Sequence, residues 1–293
     1  MQKTSVDFVI PTASSKSSLL TRCQKSIFAQ SGPFEKRMFI EEGYGFAKGV
    51  NRGIRKGKSP YIALINDDVI LNPNWLQEAF FVLEKHSHCA AVATRVLTSD
   101  GRYIDSCGMD IEGKGKAKKR EEGEKEREVF GVPCSAALFR RDALDKAGPF
   151  DEDFIAYEED VDLSFRLRLS GFTIFYAPKA VALHRIHATS KNLGNFKARM
   201  DAKNWIYIIL KNYPLPLILH FAPQIIIERL RNLVGLIKET VRLYRFTSFW
   251  ILPWSLFITY GDAVKKLPAM LKKREKIQKS IRIEYADLII WMR

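Results

Sequence analysis

The sequence lacks several features of secreted, zinc-binding and membrane-spanning proteins. Only four of its 293 residues are cysteine, and no two of them form a Cys-x-x-Cys pair. This scarcity argues against a zinc site and favours a reducing compartment. The first residues are polar and lead into a strand pattern, so we expect no cleavable signal peptide and a cytosolic catalytic part. The uncharged run at residues 246–261 is shorter than the roughly 20 residues that a spanning helix needs.

Acidic residues are fewer than basic residues. The chain has 33 acidic and 47 basic residues and a net charge of +14, and residues 211–293 alone hold 15 basic and six acidic residues. Such an excess predicts an anionic partner, such as a phospholipid surface, a nucleic acid or a phosphorylated substrate. The basic residues accompany apolar, Trp-rich sequence and form no nucleic-acid reader motif, so we expect no nucleic-acid partner.

One apolar segment ends in a group of acids. Residues 61–68 read YIALINDD, which is typical of a buried strand that closes in Asn66, Asp67 and Asp68. Ligands of open α/β sheets bind at this end of the strands, and Mg²⁺ or Mn²⁺ prefers oxygen ligands shared with substrate phosphates. The same three residues also suit a solvated turn, and this segment alone does not separate the two interpretations.

Strands and helices alternate through the first hundred residues. The pattern consists of strands near residues 6–10, 38–40, 61–65 and 90–94 and helices near residues 17–30, 46–55 and 75–85. This alternation predicts a doubly wound α/β sheet with parallel strands. Residues 112–128 interrupt the pattern with charge and glycine, and we expect them to form a mobile, solvated loop.

A second acidic group precedes a helix. Acids crowd residues 151–160, and the helix that follows ends near Gly171. The helix macrodipole accounts for some of these acids, whereas clustered carboxylates also raise one another's pKa, as a general base requires. Further along, His184 and His187 stand at a predicted strand end, where two histidines in four residues suggest a metal ligand.

The last hundred residues are helical in pattern. Apolar residues recur at helical spacing among basic ones, and residues 246–261 contain Trp250 and Trp254 and are broken by Pro253. Amphipathic helices rich in aromatic and basic residues lie in the membrane interface. The residues expected to meet anionic lipid are Lys265, Lys266, Lys272, Lys273, Arg274, Lys276 and Lys279. A soluble helical cap or a dimer interface is the alternative.

Five segments, taken in order, resemble the family 2 inverting glycosyltransferases of the GT-A fold, particularly the rhamnosyltransferase-like branch. The segments are VDFVIPTASSKSSLLTRCQKSIFAQ, GFAKGVNRGI, YIALINDDVILNPNWL, FRRDALDKAGPFDEDFIAYEEDVDLSFRLRLSGF and the ALH that ends at residue 184. The acidic helix in the fourth segment is the most specific. The resemblance implies an α/β fold, with a GT-A doubly wound mixed sheet in residues 1–195 and a C-terminal helical, membrane-associating extension in residues 196–293.

The resemblance also implies chemical roles for the acidic residues. Asp68 falls where the family binds a divalent metal, Mg²⁺ or Mn²⁺, and His184 matches the position that can complete this metal site. Asp67 falls where the donor ribose is held. Asp160, in the pair with Glu159, matches the general base.

Further residues match the nucleotide-binding part of the family. Pro11 and Thr12 correspond to the loop that touches the nucleotide, and Asn51 and Arg52 to the motif beside it. The segment after the second strand is shorter than in the family, where it carries an Asp that contacts the nucleobase. Glu41 or the glutamate after it would substitute for that Asp.

The resemblance therefore implies an enzyme that moves a sugar, with inversion, from a UDP- or dTDP-sugar to a saccharide or polyprenyl-linked acceptor in cell-surface polysaccharide synthesis. We expect it at the cytoplasmic face of the cell membrane, bound peripherally or monotopically. Two alternatives remain open. A sugar nucleotidyltransferase would need a Gly- and Lys-rich loop where this chain has PTASSKSS, and a non-catalytic membrane-bound protein could retain the same fold.

Overall fold

The structure, a computed structural model, describes residues 3–120, 123–185 and 194–292. His187 lies outside these ranges. The strands are β1 Thr4–Thr12, β2 Phe34–Glu42, β3 Tyr61–Ile65, β4 Val69–Leu71, β5 Cys89–Thr98, β6 Ile104–Ser106, β7 Met109–Glu112, β8 Lys116–Lys119, β9 Arg127–Glu128, β10 Ala136–Arg140 and β11 Thr173–His184. The helices are α1 Ser18–Phe28, α2 Phe46–Lys56, α3 Trp75–Lys85, α4 Arg141–Ala147, α5 Glu159–Leu169, α6 Phe196–Asn212, α7 Leu215–Tyr244, α8 Ser248–Lys265, α9 Leu267–Lys279 and α10 Tyr285–Ile289.

The main sheet has the strand order β2-β1-β3-β10-β5-β11-β4. β1 pairs in parallel with β2 and β3, and β5 with β11, while β10 and β4 run antiparallel to their neighbours. The predicted mixed sheet is confirmed. Since β1, β3 and β11 run in the same direction, the residues that follow or end them meet at one edge of the sheet.

Side-chain alternation along the strands builds a core on each face of this sheet. In β1, Phe8 and Ile10 pack in the core beneath α1 and α3, whereas Val9 packs on the opposite face against α2 and α5. Successive side chains of a strand point to opposite faces, so a nearly continuous apolar run serves both layers. The two helical layers leave the carboxyl-terminal edge of the sheet open.

The charged segment at residues 112–128 is more ordered than predicted. β7 and β8 pair as an antiparallel hairpin, and β9 pairs with β11. The expectation of a mobile loop was wrong for these strands. The hairpin forms because Met109 and Ile111 are buried, with Ala117 packed beside them, while Lys116 and Lys118 of β8 project from its other face. The hairpin thereby becomes one wall of the open edge.

The C-terminal helices share a core with the sheet domain. Trp205 and Ile208 of α6 belong to the same buried cluster as Phe165 of α5 and Ile111 of the hairpin. The extension that begins at Phe196 therefore packs directly on the helix that carries the second acidic group. None of the helices within the described ranges combines the length and the hydrophobicity required to cross a bilayer.

Candidate active site

A cleft of about 920 Å³ opens at the carboxyl-terminal edge of the sheet. Its walls come from the end of β1, the turn after β3, the β7–β8 hairpin and the start of α5. The residues predicted from the sequence that line it are Pro11, Thr12, Asp67, Asp68, Glu159, Asp160 and His184. Two acidic groups that are distant in the chain therefore face one cavity.

One side of the cleft places a carboxylate next to an imidazole. Val69 pairs with His184 across the β4–β11 ladder, which brings Asp68, the residue before Val69, beside the histidine. Asp68 Oδ1 lies 3.3 Å from His184 Nε2, and Asp105 Oδ2 lies 3.0 Å from His184 Nδ1. Burial opposes the imidazolium charge, but the two carboxylates outweigh it and raise the pKa of His184 to about 9.

Once His184 has released a proton, these residues fit a divalent cation. Asp68 Oδ1 is buried and has no hydrogen-bond partner among the described residues, and its charged neighbour is His184 Nε2 at 3.3 Å. Neighbouring ligands of an octahedral ion with bonds of about 2.1 Å lie about 3 Å apart, close to the observed separation. Across the described ranges no three His, Cys, Asp or Glu residues are grouped to hold a metal. The described residues would thus supply two ligands, Asp68 and His184, as is usual where water and substrate phosphates supply the others.

A side-chain hydrogen bond links the end of β1 to the turn after β3. Thr12 Oγ1 donates a hydrogen bond of 2.5 Å to Asp67 Oδ2. Burial raises the pKa of Asp67 and the charge of Asp68 raises it further, while the Thr12 hydroxyl partly offsets both. The hydroxyl therefore fixes the Asp67 carboxylate at the floor of the cleft.

The other side of the cleft holds two adjacent acids at the start of α5. Burial raises the pKa of Glu159 to about 8, and the charge of Asp160 contributes to the shift. Burial also raises the pKa of Asp160, whereas Lys119 and the Val161 amide, which donates to Asp160 Oδ1 at 2.9 Å, favour its charged form. Both acids are therefore harder to ionise than usual, and Asp160, whose charged form the cation of Lys119 favours, is the one better suited to ionise and accept a proton.

Asp105 and Lys119 are functional candidates that the sequence reasoning missed. Lys119, in β8, lines the cleft, and its Nζ lies 3.0 Å from Asp105 Oδ1. The Asp105 carboxylate thus contacts both the ammonium group of Lys119 and the imidazole of His184. Lys119 lies in the segment predicted to form a loop, and Asp105 lies a few residues before it. The alternation of Met109 and Ile111 was the available signal of a strand there.

Three predicted nucleotide contacts lie outside the residues that line the cleft: Glu41, Asn51 and Arg52. The Glu41 carboxylate is buried and pairs with Lys56 and with Arg52 Nε at 3.1 Å. Asn51 is buried as well, and its Nδ2 donates to the Glu152 carboxylate at 2.9 Å. In the structure these polar groups are engaged in contacts within the protein.

Part of the acidic run before α5 has a structural explanation. Asp153 accepts from Lys266 Nζ at 2.8 Å and from Lys273 Nζ at 2.6 Å, and Lys273 also pairs with Asp151. Arg274 donates to a backbone carbonyl of the α6 terminus at 2.8 Å. Lys266, Lys273 and Arg274, which were expected to meet lipid, are partly buried and make these contacts within the protein. These contacts fasten α9 to the loop before α5.

The sequence matches a family model described as glycosyltransferase like family 2 over residues 37–206, more than half of the 293-residue chain. Two curated proteins, both N-acetylglucosaminyl-diphospho-decaprenol L-rhamnosyltransferases of Mycobacterium tuberculosis strains CDC 1551 / Oshkosh and ATCC 25618 / H37Rv, are 36% identical over 84 residues. This match covers 28% of the chain and spans only 27% of the length of either relative.

Solved structures share the architecture at low sequence identity. GalNAc-T7 with UDP, GalNAc and Mn²⁺ aligns over 71% of this chain and 48% of its own, with a TM-score of 0.55 and 11% identity. The mannosyltransferase PcManGT from Pyrobaculum calidifontis, in complex with GDP-Man and Mn²⁺, aligns over 94% of this chain and 85% of its own, with a TM-score of 0.50 and 12% identity. At such identities the likeness concerns the fold.

Proposed function

The chain belongs to glycosyltransferase family 2 and has the GT-A fold, and from this premise we propose that it transfers a sugar from a UDP- or dTDP-sugar to a saccharide or polyprenyl-linked acceptor with inversion. The observation that carries the proposal is that Asp68 and Asp160 line the same cleft. The curated relatives, rhamnosyltransferases named for a diphospho-decaprenol acceptor, support a lipid-linked acceptor in cell-surface polysaccharide synthesis.

Asp160 is the general base of the proposed reaction. It removes the proton of the acceptor hydroxyl while that oxygen attacks the anomeric carbon and the bond to the nucleoside diphosphate breaks. When Glu159 holds its proton, repulsion between the two acids is limited and a single negative charge faces the acceptor. Lys119 favours the ionised form of Asp160. A base positioned in this way contributes about 10²–10⁴-fold to the rate.

The opposite side of the cleft binds the donor. Asp68 and His184 would hold Mn²⁺ or Mg²⁺, with Asp105 fixing the imidazole through Nδ1. When bound, the ion would neutralise charge on the departing diphosphate. Mn²⁺ in both structural relatives supports a divalent cation. Asp67, held by Thr12, is placed to accept hydrogen bonds from the donor ribose.

A surface of α7 and α8 supports attachment to the cytoplasmic face of the membrane. The buried residues of α8 are small, Ser255, Thr259 and Ala263, and they recur every four residues. Five of its apolar side chains are exposed: Phe249, Trp250, Trp254, Phe257 and Val264. A helix of a water-soluble domain normally buries its large apolar residues. An outward aromatic face without a spanning helix suits peripheral or monotopic binding to lipid.

The proposal is tested by combining a donor screen with a transfer assay. Nucleotide sugars are screened with Mn²⁺ and with Mg²⁺ by thermal shift, because a ligand that binds only the folded state raises its stability by mass action. A donor that gives a shift is then radiolabelled and supplied with polyprenyl-diphosphate saccharides. Transfer with inverted anomeric configuration is the expected result. Binding without transfer to any saccharide or lipid-linked acceptor would refute the proposed activity.

A further inference from the structure

The turn that leads into α5 has an unusual backbone. Among the described residues other than glycine, positive φ angles occur only at Tyr157 (65°), Glu158 (66°) and Arg245 (41°). Two consecutive left-handed residues with side chains cost free energy and persist only where the surroundings enforce them. The turn at 157–158 immediately precedes Glu159 and Asp160 and lines the same cleft.

A side chain of the C-terminal extension enforces this turn. Asn204, in α6, has no solvent exposure, and its Nδ2 donates hydrogen bonds of 2.8 Å to the carbonyl oxygens of both Ala156 and Tyr157. Its Oδ1 is buried without a partner among the described residues. Burying an unpaired carbonyl is unfavourable, so simple packing would favour an apolar residue here. The asparagine is explained by its two donated hydrogen bonds.

α6 is itself held firmly on its far side. Lys203 Nζ pairs with Asp262 Oδ2 of α8 at 2.8 Å. At the start of α6, Asn195 Nδ2 donates to Thr240 Oγ1 of α7 at 2.8 Å and to Ser255 Oγ of α8 at 2.9 Å. The helix that carries Asn204 is therefore anchored to its neighbours and can impose a fixed position on the turn.

From this arrangement we propose that Asn204 is a positioning residue for the Glu159–Asp160 pair, so that the C-terminal helices complete the catalytic centre. Holding the carbonyls of Ala156 and Tyr157 keeps the turn left-handed. The turn sets the direction in which the chain enters α5, and the first residues of α5 are the two acids. The inference rests on the proposed function, in which Asp160 is the general base and Glu159 is the acid beside it.

The test compares Asn204 with a matched asparagine of the same helix. Asn204→Ala and the nearly isosteric Asn204→Leu each remove both hydrogen bonds, and the second leaves less of a cavity. Asn195→Ala is the control, because it also removes two hydrogen bonds from a buried amide, and these two bonds go to α7 and α8. The readouts are the melting temperature, the Kd for UDP or dTDP with Mn²⁺, and kcat and KM in the transfer assay.

We expect kcat of both Asn204 variants to fall by about 10²-fold, since a displacement of about 1 Å at a reacting group has this effect. The Kd for nucleotide and Mn²⁺ should stay within about twofold, because Asp67 and Asp68 are positioned by the sheet. Asn195→Ala should lower the melting temperature as much and keep kcat. A folded Asn204→Leu with wild-type kcat, or an equal loss of kcat in Asn195→Ala, would overturn the proposal.

A measurement without turnover separates this inference from the proposed function. Hydrogen–deuterium exchange of a peptide that covers residues 156–163 should be faster in Asn204→Leu than in the wild type and unchanged in Asn195→Ala. Faster exchange together with an inactive wild type would refute the transferase and retain the positioning role. Unchanged exchange in Asn204→Leu would refute the positioning role, whatever the wild type catalyses.

Discussion

His184 Nε2 lies 3.3 Å from Asp68 Oδ1, although the two residues are far apart in the sequence. The antiparallel pairing of β4 with β11 causes this proximity, because Val69 and His184 are directly opposite in the ladder. Asp105 holds the other ring nitrogen at 3.0 Å. The short edge strand β4 thus brings Asp68, which follows β3, next to His184 at the end of β11.

Asp105→Ala should weaken Mn²⁺ binding by about 10–100-fold, the usual effect of losing the carboxylate that orients a metal-binding histidine. The measurement is Mn²⁺ titration followed by electron paramagnetic resonance, with UDP present. Asp110→Ala is the control, because Asp110 pairs with Arg120 at 2.6 Å and does not line the cleft. Equal Mn²⁺ affinity in wild type and Asp105→Ala would contradict the role given to Asp105.

Asp160→Asn should lower kcat by about 10²–10⁴-fold, because the amide cannot accept the acceptor proton. Donor binding should be retained, since Asp67, Asp68 and His184 are unchanged. Radiolabelled transfer measures the rate, and calorimetry with nucleotide and Mn²⁺ measures binding. Full turnover in this variant would mean that another group is the base.

Glu159→Gln should stabilise the protein increasingly as pH rises. The pKa of Glu159 is raised from 4.5 to about 8 in the folded state. Between these values the folded protein binds more protons than the unfolded chain, so this residue's contribution to stability falls as pH increases. Glutamine does not titrate, so the variant does not lose this stability. The difference between its melting temperature and that of the wild type should therefore increase from pH 5 to pH 9.

Differential scanning fluorimetry at pH 5, 7 and 9 checks this expectation for Glu159→Gln. Asp145→Asn is the control, because Asp145 is an exposed carboxylate on α4. Its melting temperature relative to wild type should change little across the same range. A flat difference for Glu159→Gln would show that Glu159 titrates near its ordinary pKa.

Lys211→Met should destabilise the fold by about 3–5 kcal/mol, the typical cost of removing one member of a buried ion-pair cluster. Lys211 is buried and pairs with Asp151 and with Asp162 Oδ1, the latter at 2.7 Å. Lys279→Met should cost under about 1 kcal/mol, because its pair with Glu275 is exposed. Urea unfolding of both variants provides the comparison, and similar midpoints would contradict the importance of the buried cluster.

Trp250→Ser and Trp254→Ser should each weaken binding to phosphatidylserine-containing vesicles by about tenfold or more, given about 1.5–3 kcal/mol for each large apolar side chain transferred from water. Phe81→Ser on α3 is the control, because Phe81 is equally exposed but lies outside α7 and α8. Vesicle co-sedimentation measures the effect. If the wild type did not bind anionic vesicles, the proposed attachment to the membrane would be refuted. The proposed transferase activity would not be affected by that result.

Local patterns were sufficient to locate β1, β2, β3 and β5 and the helices α1 to α3, whereas β4 and β6 were not predicted. The strand at Tyr61–Ile65 and the helix at Trp75–Lys85 were predicted with their observed bounds, because apolar runs and helical spacing are properties of adjacent residues. The hairpin of β7 and β8 was missed because its strands are short and charged, and their stability comes from packing against α6. Nothing within residues 112–119 encodes that partner.

The sequence by itself determined which side chains could carry the chemistry: acids after a buried strand, acids before a helix, and a histidine at a strand end. Only the tertiary structure decided which of them share a cavity and which are engaged elsewhere. Glu41 and Asn51 had plausible patterns and are occupied inside the protein, whereas Asp105 and Asn204 had no pattern and contact the site. The reason is that a hydrogen bond needs a partner within about 3 Å, and long-range packing chooses that partner.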